Sequence, residues 1–150
     1  MDEFEIKILN MLQTEFPLEN RPFFKIAKKL NLSETTVIEK VKELKKKGII
    51  RRISGTFDSE KLGYSSLLCA LRVSKENLEE VVEVINKFYG VTHNYQRDCY
   101  YNIWFTVTAA SKEEIEMFLK KLRVSGKIEK MLELPKEKKF KINAVFDVRK

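Results

Sequence analysis

Apolar positions in the first third of the chain recur at three and four residues, the spacing of a helix with one buried face. "FEIKILNMLQ" places Phe4, Ile8, Leu9 and Leu12 near one face. "FPLENRPF" then interrupts with two prolines. A second short helix is predicted through Phe23, Ile26, Ala27 and Leu30. In "LSETTVIEKVKELKKKGII", Val37, Ile38, Val41 and Leu44 form the apolar stripe of a third. Ser33 is a suitable N-cap, because its hydroxyl can accept a helical N–H that has no other partner. Lys45 to Lys47 suit the negative end of the helix dipole, and Gly48 stops the helix. The turn at Asn31 to Ser33 makes the last two helices a helix-turn-helix, and "GIIRRISGTFD" after it reads as a strand or wing.

Beyond residue 62 the pattern changes to alternating strands and helices. "LLCALRVS" is a strand with Ser74 as a cap for the next helix. That helix repeats Leu78, Val81, Val82, Ile85 and Phe88, and Gly90 ends it. "VTHNYQR" and "YYNIWFTVTA" are two strands joined by a turn near Asp98 and Cys99. "SKEEIEMFLKKLRVSG" is a helix opened by a capping box of Ser111 and Glu114. "KIEKMLEL" is a fourth strand, and "KKFKINAVFDV" is a fifth with Phe140, Ile142, Ala144 and Phe146 on one face. The order βαββαβ is the ferredoxin-like split unit with one strand added. The expected class is α+β, with a winged helix-turn-helix and linking strand over residues 1–62 and a ferredoxin-like ligand-binding or catalytic domain over 63–150.

Charge and composition narrow the function. The 150 residues carry 29 basic and 22 acidic side chains, a net +7, which favours a polyanionic partner. A Lys/Glu-rich solvated surface would give the same balance. No apolar run has the roughly 20 residues of a membrane span. The two cysteines, Cys69 and Cys99, lack metal or redox spacing, which fits a reducing cytoplasm.

The segment "GVTHNYQRDCYYNIWFT" holds the single histidine and the single tryptophan of the chain. Period two places His93, Tyr95 and Arg97 on one strand face, about 7 Å apart. Tyr101, Ile103 and Phe105 share a face of the next strand, and Tyr100, Asn102, Trp104 and Thr106 share the other. An arginine grips a carboxylate through two parallel hydrogen bonds. An imidazole serves as general acid, base or metal ligand. Aromatic rings make a flat apolar wall. Carboxylates plus a flat ring suggest a tetrapyrrole. Packed sheets and solvated faces also use these residue types, so the pattern alone leaves both readings open.

"IAKKLNLSETTVIEKVKELKKKGIIRRI" resembles the DNA-binding half of the Lrp/AsnC regulator family. That resemblance implies major-groove reading by Ser33, Glu34, Thr35, Thr36 and either Glu39 or Lys40, although the two glutamates oppose a phosphate backbone. Taken with "FPLENRPF", "IIRRISGTFDSEKLGY" and "LPKEKKFKINAVFD", the His93 segment resembles the siroheme decarboxylase subunits, whose specific part is "THNYxR…YNxWFT". Ser54 stands where that resemblance expects glycine, and "DCYYN" occupies a variable turn. The resemblance implies a cytoplasmic carboxy-lyase of heme or heme d1 biosynthesis. Its substrate would be siroheme, its product didecarboxysiroheme, and its reaction the loss of carbon dioxide from the C12 and C18 acetates. No separate organic cofactor is implied, because the iron tetrapyrrole is itself the substrate. A similar partner subunit or a homo-oligomer is implied, with DNA binding weak or absent. On this reading His93 is the proton donor or an axial ligand of the substrate iron, Arg97 the carboxylate clamp, and Tyr95 and Tyr101 orienting hydroxyls. Trp104 walls the ring, and Arg51, Arg52, Arg72 and Lys139 are candidates for the remaining carboxylates. The alternative is an Lrp/AsnC-type transcription regulator, responsive to heme.

Overall fold

A capping box starts the chain. The Asp2 carboxylate accepts the Glu5 N–H, and the Glu5 carboxylate accepts the Asp2 N–H, each at 2.8 Å. This satisfies donors that a helix start leaves open, and α1 (Glu3–Thr14) follows. Helix α2 (Pro22–Leu30) opens on a proline, whose missing N–H costs nothing at that position. In α3 (Glu34–Lys46) Ser33 caps the Thr36 N–H as expected. Ile8, Leu9, Ile26, Ala27, Val37, Val41, Leu44 and Ile50 form the core of this unit. The computed structural model describes residues 1–143 and 145–149.

The second unit, Thr56–Phe140, is a four-stranded antiparallel sheet in the order β2-β3-β1-β4. Its strands are β1 (Ser65–Val73), β2 (Val91–Gln96), β3 (Ile103–Ala109) and β4 (Ile128–Leu134). Helices α4 (Leu78–Lys87) and α5 (Lys112–Val124) supply the two crossovers, each passing over one intervening strand. Cys69, Leu71 and Val73 of β1 alternate into a core with Ile103, Phe105 and Val107 of β3, and α4 and α5 add Ile85, Leu119 and Leu122. Burying each such side chain contributes roughly 1.5–3 kcal/mol. Both helices of this unit lie on that one face, so neither α4 nor α5 covers the opposite face of the sheet.

Several expectations need correcting. The predicted fifth strand does not form among the described residues; Ala144 lies outside them. An alternating pattern becomes a strand only where a ladder partner exists, and Pro135, which has no N–H, closes β4. The stretch from Lys141 belongs instead to the first unit. There Gln13 of α1 exchanges two hydrogen bonds of 2.9 Å with the backbone of Phe146. Asn10 does the same with Val148 at 3.1 and 3.2 Å. Two side-chain amides thus substitute for a neighbouring strand. The first unit therefore spans Met1–Gly55 plus this segment, rather than residues 1–62. Residues 51–57 form no strand or wing, because no second strand lies alongside to accept a ladder. Ser74 opens a turn, and α4 begins at Leu78. The Ser111 hydroxyl accepts the Glu114 N–H at 3.2 Å, but the Glu114 carboxylate turns to the Tyr89 hydroxyl at 2.7 Å, leaving half a capping box.

Candidate functional site

One irregularity in β2 decides which face carries its polar side chains. Val91 pairs with Val107, but His93 pairs with Thr106, so Thr92 is an extra residue in the strand. Without this bulge His93 would stand opposite Phe105 and face the core. The inserted residue turns every later position over. Tyr95 then stands opposite Trp104, and Asn94 opposite Phe105. The core-facing positions keep the helix side, and the chemistry-bearing positions take the open side. Gly90 sits at the base of the bulge. A Cβ there would lie 2.1 Å from the Thr108 carbonyl oxygen, whose N–H already bonds Gly90 O at 2.7 Å.

The open face carries a cleft of about 480 Å³ lined by Leu68, His93, Tyr95, Arg97, Trp104, Phe105 and Thr106. That volume lies within the roughly 300–1,000 Å³ of small-molecule sites. The His93 and Tyr95 rings are 6.2 Å apart and tilted by 31°. The Arg97 guanidinium lies 6.0 Å from the Trp104 ring centre. The indole N–H of Trp104 donates to the Tyr101 carbonyl at 2.7 Å, which fixes the ring on the sheet. His93 Nδ1 is 3.1 Å from the Thr92 hydroxyl, leaving Nε2 unbonded among the described residues. Arg97 likewise has no carboxylate partner among them. Adjacent rows complete the floor. Ala70, fully buried, pairs with Trp104 on one side and Leu132 on the other, and Leu68 pairs with Thr106 and Leu134.

Four of the sequence-predicted residues are therefore brought together: His93, Tyr95, Arg97 and Trp104. The others lie elsewhere. Tyr101 is in the hairpin turn, where its carbonyl, not its hydroxyl, is used. Arg72 is on the open face of β1, 3.4 Å from both the Glu129 carboxylate and the Tyr100 carbonyl. Lys139 is paired with Asp58 at 3.4 Å. Arg51 and Arg52 belong to the first unit, in a separate cleft with Leu9, Leu12 and Phe16. Thr106 lines the site on the face of Trp104 where alternation puts it; Leu68 lines it too without having been singled out, although two-residue alternation along β1 would have found it. The asparagines of the segment are structural. Asn102 bonds both the N–H and the carbonyl of Val73, at 3.0 and 2.8 Å, and so ties the hairpin to β1. Asn94 donates to Asn86 of α4 at 2.9 Å. Burial pushes the Cys69 thiol up to about 12, which makes it inert at neutral pH. Among the described residues no group of three or more metal-ligating side chains is assembled, so His93 is a single potential ligand. No helix among them is long and apolar enough to cross a membrane.

Residues 61–141 match the AsnC-like ligand binding domain, and residues 5–51 match the siroheme decarboxylase NirDL-like HTH domain. The siroheme decarboxylase alpha subunit of Desulfovibrio desulfuricans is 40% identical over 146 residues, covering 97% of this chain and 84% of that protein. The crystal structure of the siroheme decarboxylase NirDL in complex with an iron-uroporphyrin III analogue superposes with a TM-score of 0.67 at 32% identity, over 85% of this chain and 42% of that one. AsnC of E. coli superposes with a TM-score of 0.82 over 97% of both chains at 18% identity, a likeness of fold alone.

Proposed function

We propose that this chain, which belongs to the siroheme decarboxylase family, is a decarboxylase subunit that removes carbon dioxide from the C12 and C18 acetates of siroheme to give didecarboxysiroheme. The observation that carries the reading is the open-face cleft, where His93, Tyr95 and Arg97 line one wall beside the Trp104 ring. Siroheme is flat and carries eight carboxylates, which fits an aromatic floor and a chain of net charge +7.

Each acetate would break its bond to the carboxylate carbon and release carbon dioxide. The electron pair moves into the macrocycle, which accepts it when a ring carbon is protonated, so the substrate supplies its own electron sink. The methylene left behind takes one proton and becomes a methyl group as the ring carbon gives its own proton back, so one proton is taken up for each carbon dioxide lost. The protein's part is to place the carboxylate, exclude water and deliver that proton. Arg97 holds a carboxylate through its planar fork. His93 donates the proton, or ligates the substrate iron. Tyr95 orients the reacting acetate, and Trp104 walls the ring. Tyr101 acts through the carbonyl that anchors Trp104.

Leu68 and Leu132 leave large apolar side chains exposed on the same open face, 39% and 36% accessible. This supports a covering surface from a similar subunit, in a heterodimer or a homo-oligomer, which would also keep the cleft dry. The two free cysteines support a reducing, cytoplasmic setting. The helix-turn-helix then serves as a structural module with weak DNA binding at most.

The test is anaerobic incubation with siroheme, with and without a similar partner subunit, followed by mass spectrometry. Loss of two carbon dioxide units is expected. Unchanged siroheme in both incubations, beside tight binding to one DNA operator, would overturn the assignment in favour of a regulator.

A further inference from the structure

The side chains nearest the β2–β3 turn form one more row across the open face. Arg72 of β1 stands directly opposite Lys130 of β4. Arg97 closes the row at the other edge, its N–H bonded to the Asn102 carbonyl at 2.9 Å. Three interstrand spacings of about 4.8 Å make this a row roughly 14 Å wide. It borders the aromatic floor on the side away from His93.

Like charges placed directly opposite each other destabilise a strand pair. Arg72 is partly compensated by Glu129 and the Tyr100 carbonyl. Lys130 is exposed and has no anionic partner among the described residues. Both cations lie against the Tyr100 ring, whose centre is 5.5 Å from the Arg72 guanidinium and 5.7 Å from the Lys130 ammonium. A ring face attracts cations but does not neutralise them. The fold therefore holds two facing positive charges beside a flat apolar floor, an arrangement that an incoming anion would relieve.

We infer that Arg72 and Lys130, both set against the Tyr100 ring, form a second carboxylate clamp. It takes the substrate's carboxylates on the edge far from His93, and so fixes which acetates reach that histidine. This rests on the siroheme reading and adds a specificity role for Lys130 and Tyr100. Two clamps on one row, Arg97 at one edge and Arg72 with Lys130 at the other, restrict rotation of a ring in its own plane. One clamp alone would leave it free to turn.

The test titrates the full-length chain with two iron porphyrins: iron uroporphyrin III, with eight carboxylates, and protoheme, with two. Lys130→Gln should weaken iron uroporphyrin III by about tenfold, the scale of a lost charge-assisted hydrogen bond. Protoheme should change by less than about twofold, and the thermal melt should not fall, because Lys130 is exposed and its loss removes a like charge facing Arg72. Arg72→Gln should act in the same direction. If iron uroporphyrin III binds equally well to wild type and variants, or if both porphyrins weaken equally, the clamp is overturned and the siroheme reading stands. If the wild type binds neither porphyrin, the siroheme reading itself fails and takes the clamp with it.

Discussion

The chain offers two surfaces built from recognition-type side chains, and they differ in what those side chains already hold. At the start of α3, where a DNA-reading helix would make contact, Ser33, Glu34, Thr36 and Lys40 are committed to partners within the first unit. The Ser33 hydroxyl bonds the Thr36 N–H and hydroxyl. Glu34 is paired with Arg21, and Lys40 with Asp2. On the open face of the sheet, the ring nitrogen Nε2 of His93 and the guanidinium of Arg97 have no such partners among the described residues. A polar group that is held in place but unspent is available to a ligand, whereas one bonded to its neighbour holds the fold. On the proposed reading, this difference puts binding in the second unit.

The largest expected effect is on the imidazole. His93→Ala should lower decarboxylation by at least about 100-fold, the usual scale for a lost acid–base group. Single-turnover kinetics with siroheme would measure it, beside the absorption spectrum of the bound tetrapyrrole. Turnover close to wild type would remove His93 from the reaction and erase the contrast between the two surfaces. A changed spectrum with an unchanged rate would make His93 an iron ligand alone.

Next in size is an indirect break of the same site. Gly90→Ala puts a methyl group where only 2.1 Å separates it from the Thr108 carbonyl oxygen, so the edge of β2 must move. Overpacking of this kind costs roughly 1–3 kcal/mol. The bulge at Thr92 lies immediately beyond, so activity should fall further than the thermal melt alone would explain. A variant with wild-type melting and wild-type turnover would mean that the bulge is not held by this contact.

That bulge also marks where the sequence stops being readable. Helix stripes such as Val37, Val41 and Leu44, and alternating strands such as Cys69, Leu71 and Val73, are written in local periodicity, and all six are buried as the pattern requires. Period two likewise puts His93, Tyr95 and Arg97 together. It does not say which face they share, because that depends on pairing with β3, a partner distant in sequence. One extra residue, Thr92, reverses the answer. The tail fails for the same reason. Phe140, Ile142 and Phe146 alternate like a strand, but the hydrogen bonds available to the segment come from Asn10 and Gln13 of α1. Tyr101 enters the site only through the family resemblance; alternation groups it with Ile103 and Phe105, yet β3 begins only at Ile103, so its ring does not continue that strand's face. Lys130 gave no signal until its pairing with Arg72 was known.

A smaller effect separates charge from geometry at Arg97. Arg97→Lys keeps the charge but loses the planar fork and the stacking surface over Trp104. It should weaken tetrapyrrole binding by roughly 1–2 kcal/mol, and Arg97→Ala by more. Arg97 is exposed and outside the core, so thermal melts should change little. Titration beside melting tests both statements. Wild-type affinity in both variants would place the clamp elsewhere on the sheet. Unfolding of both would make Arg97 a structural charge and remove it from the set of uncommitted groups.

The smallest effect is expected at the other surface. If the polar groups at the start of α3 are spent on the fold, the first unit should bind DNA only through its general positive charge. Such binding is weak, with a Kd of roughly 10⁻⁴–10⁻⁶ M at physiological salt, and indifferent to sequence. Glu34→Gln removes a carboxylate from the approach to the phosphates and releases Arg21 from its ion pair. Affinity should then rise by only about two- to threefold, equally for all duplexes, because an exposed ion pair of this kind is worth little and a freed arginine adds one phosphate contact at most. Filter binding with several unrelated duplexes at two salt concentrations gives both the size and the uniformity of the change. Tight, operator-specific protection by the wild-type chain would show that Ser33, Glu34 and Thr36 read bases despite their mutual bonds. The committed surface would then be a working one, and the regulator would have to be reinstated beside the decarboxylase.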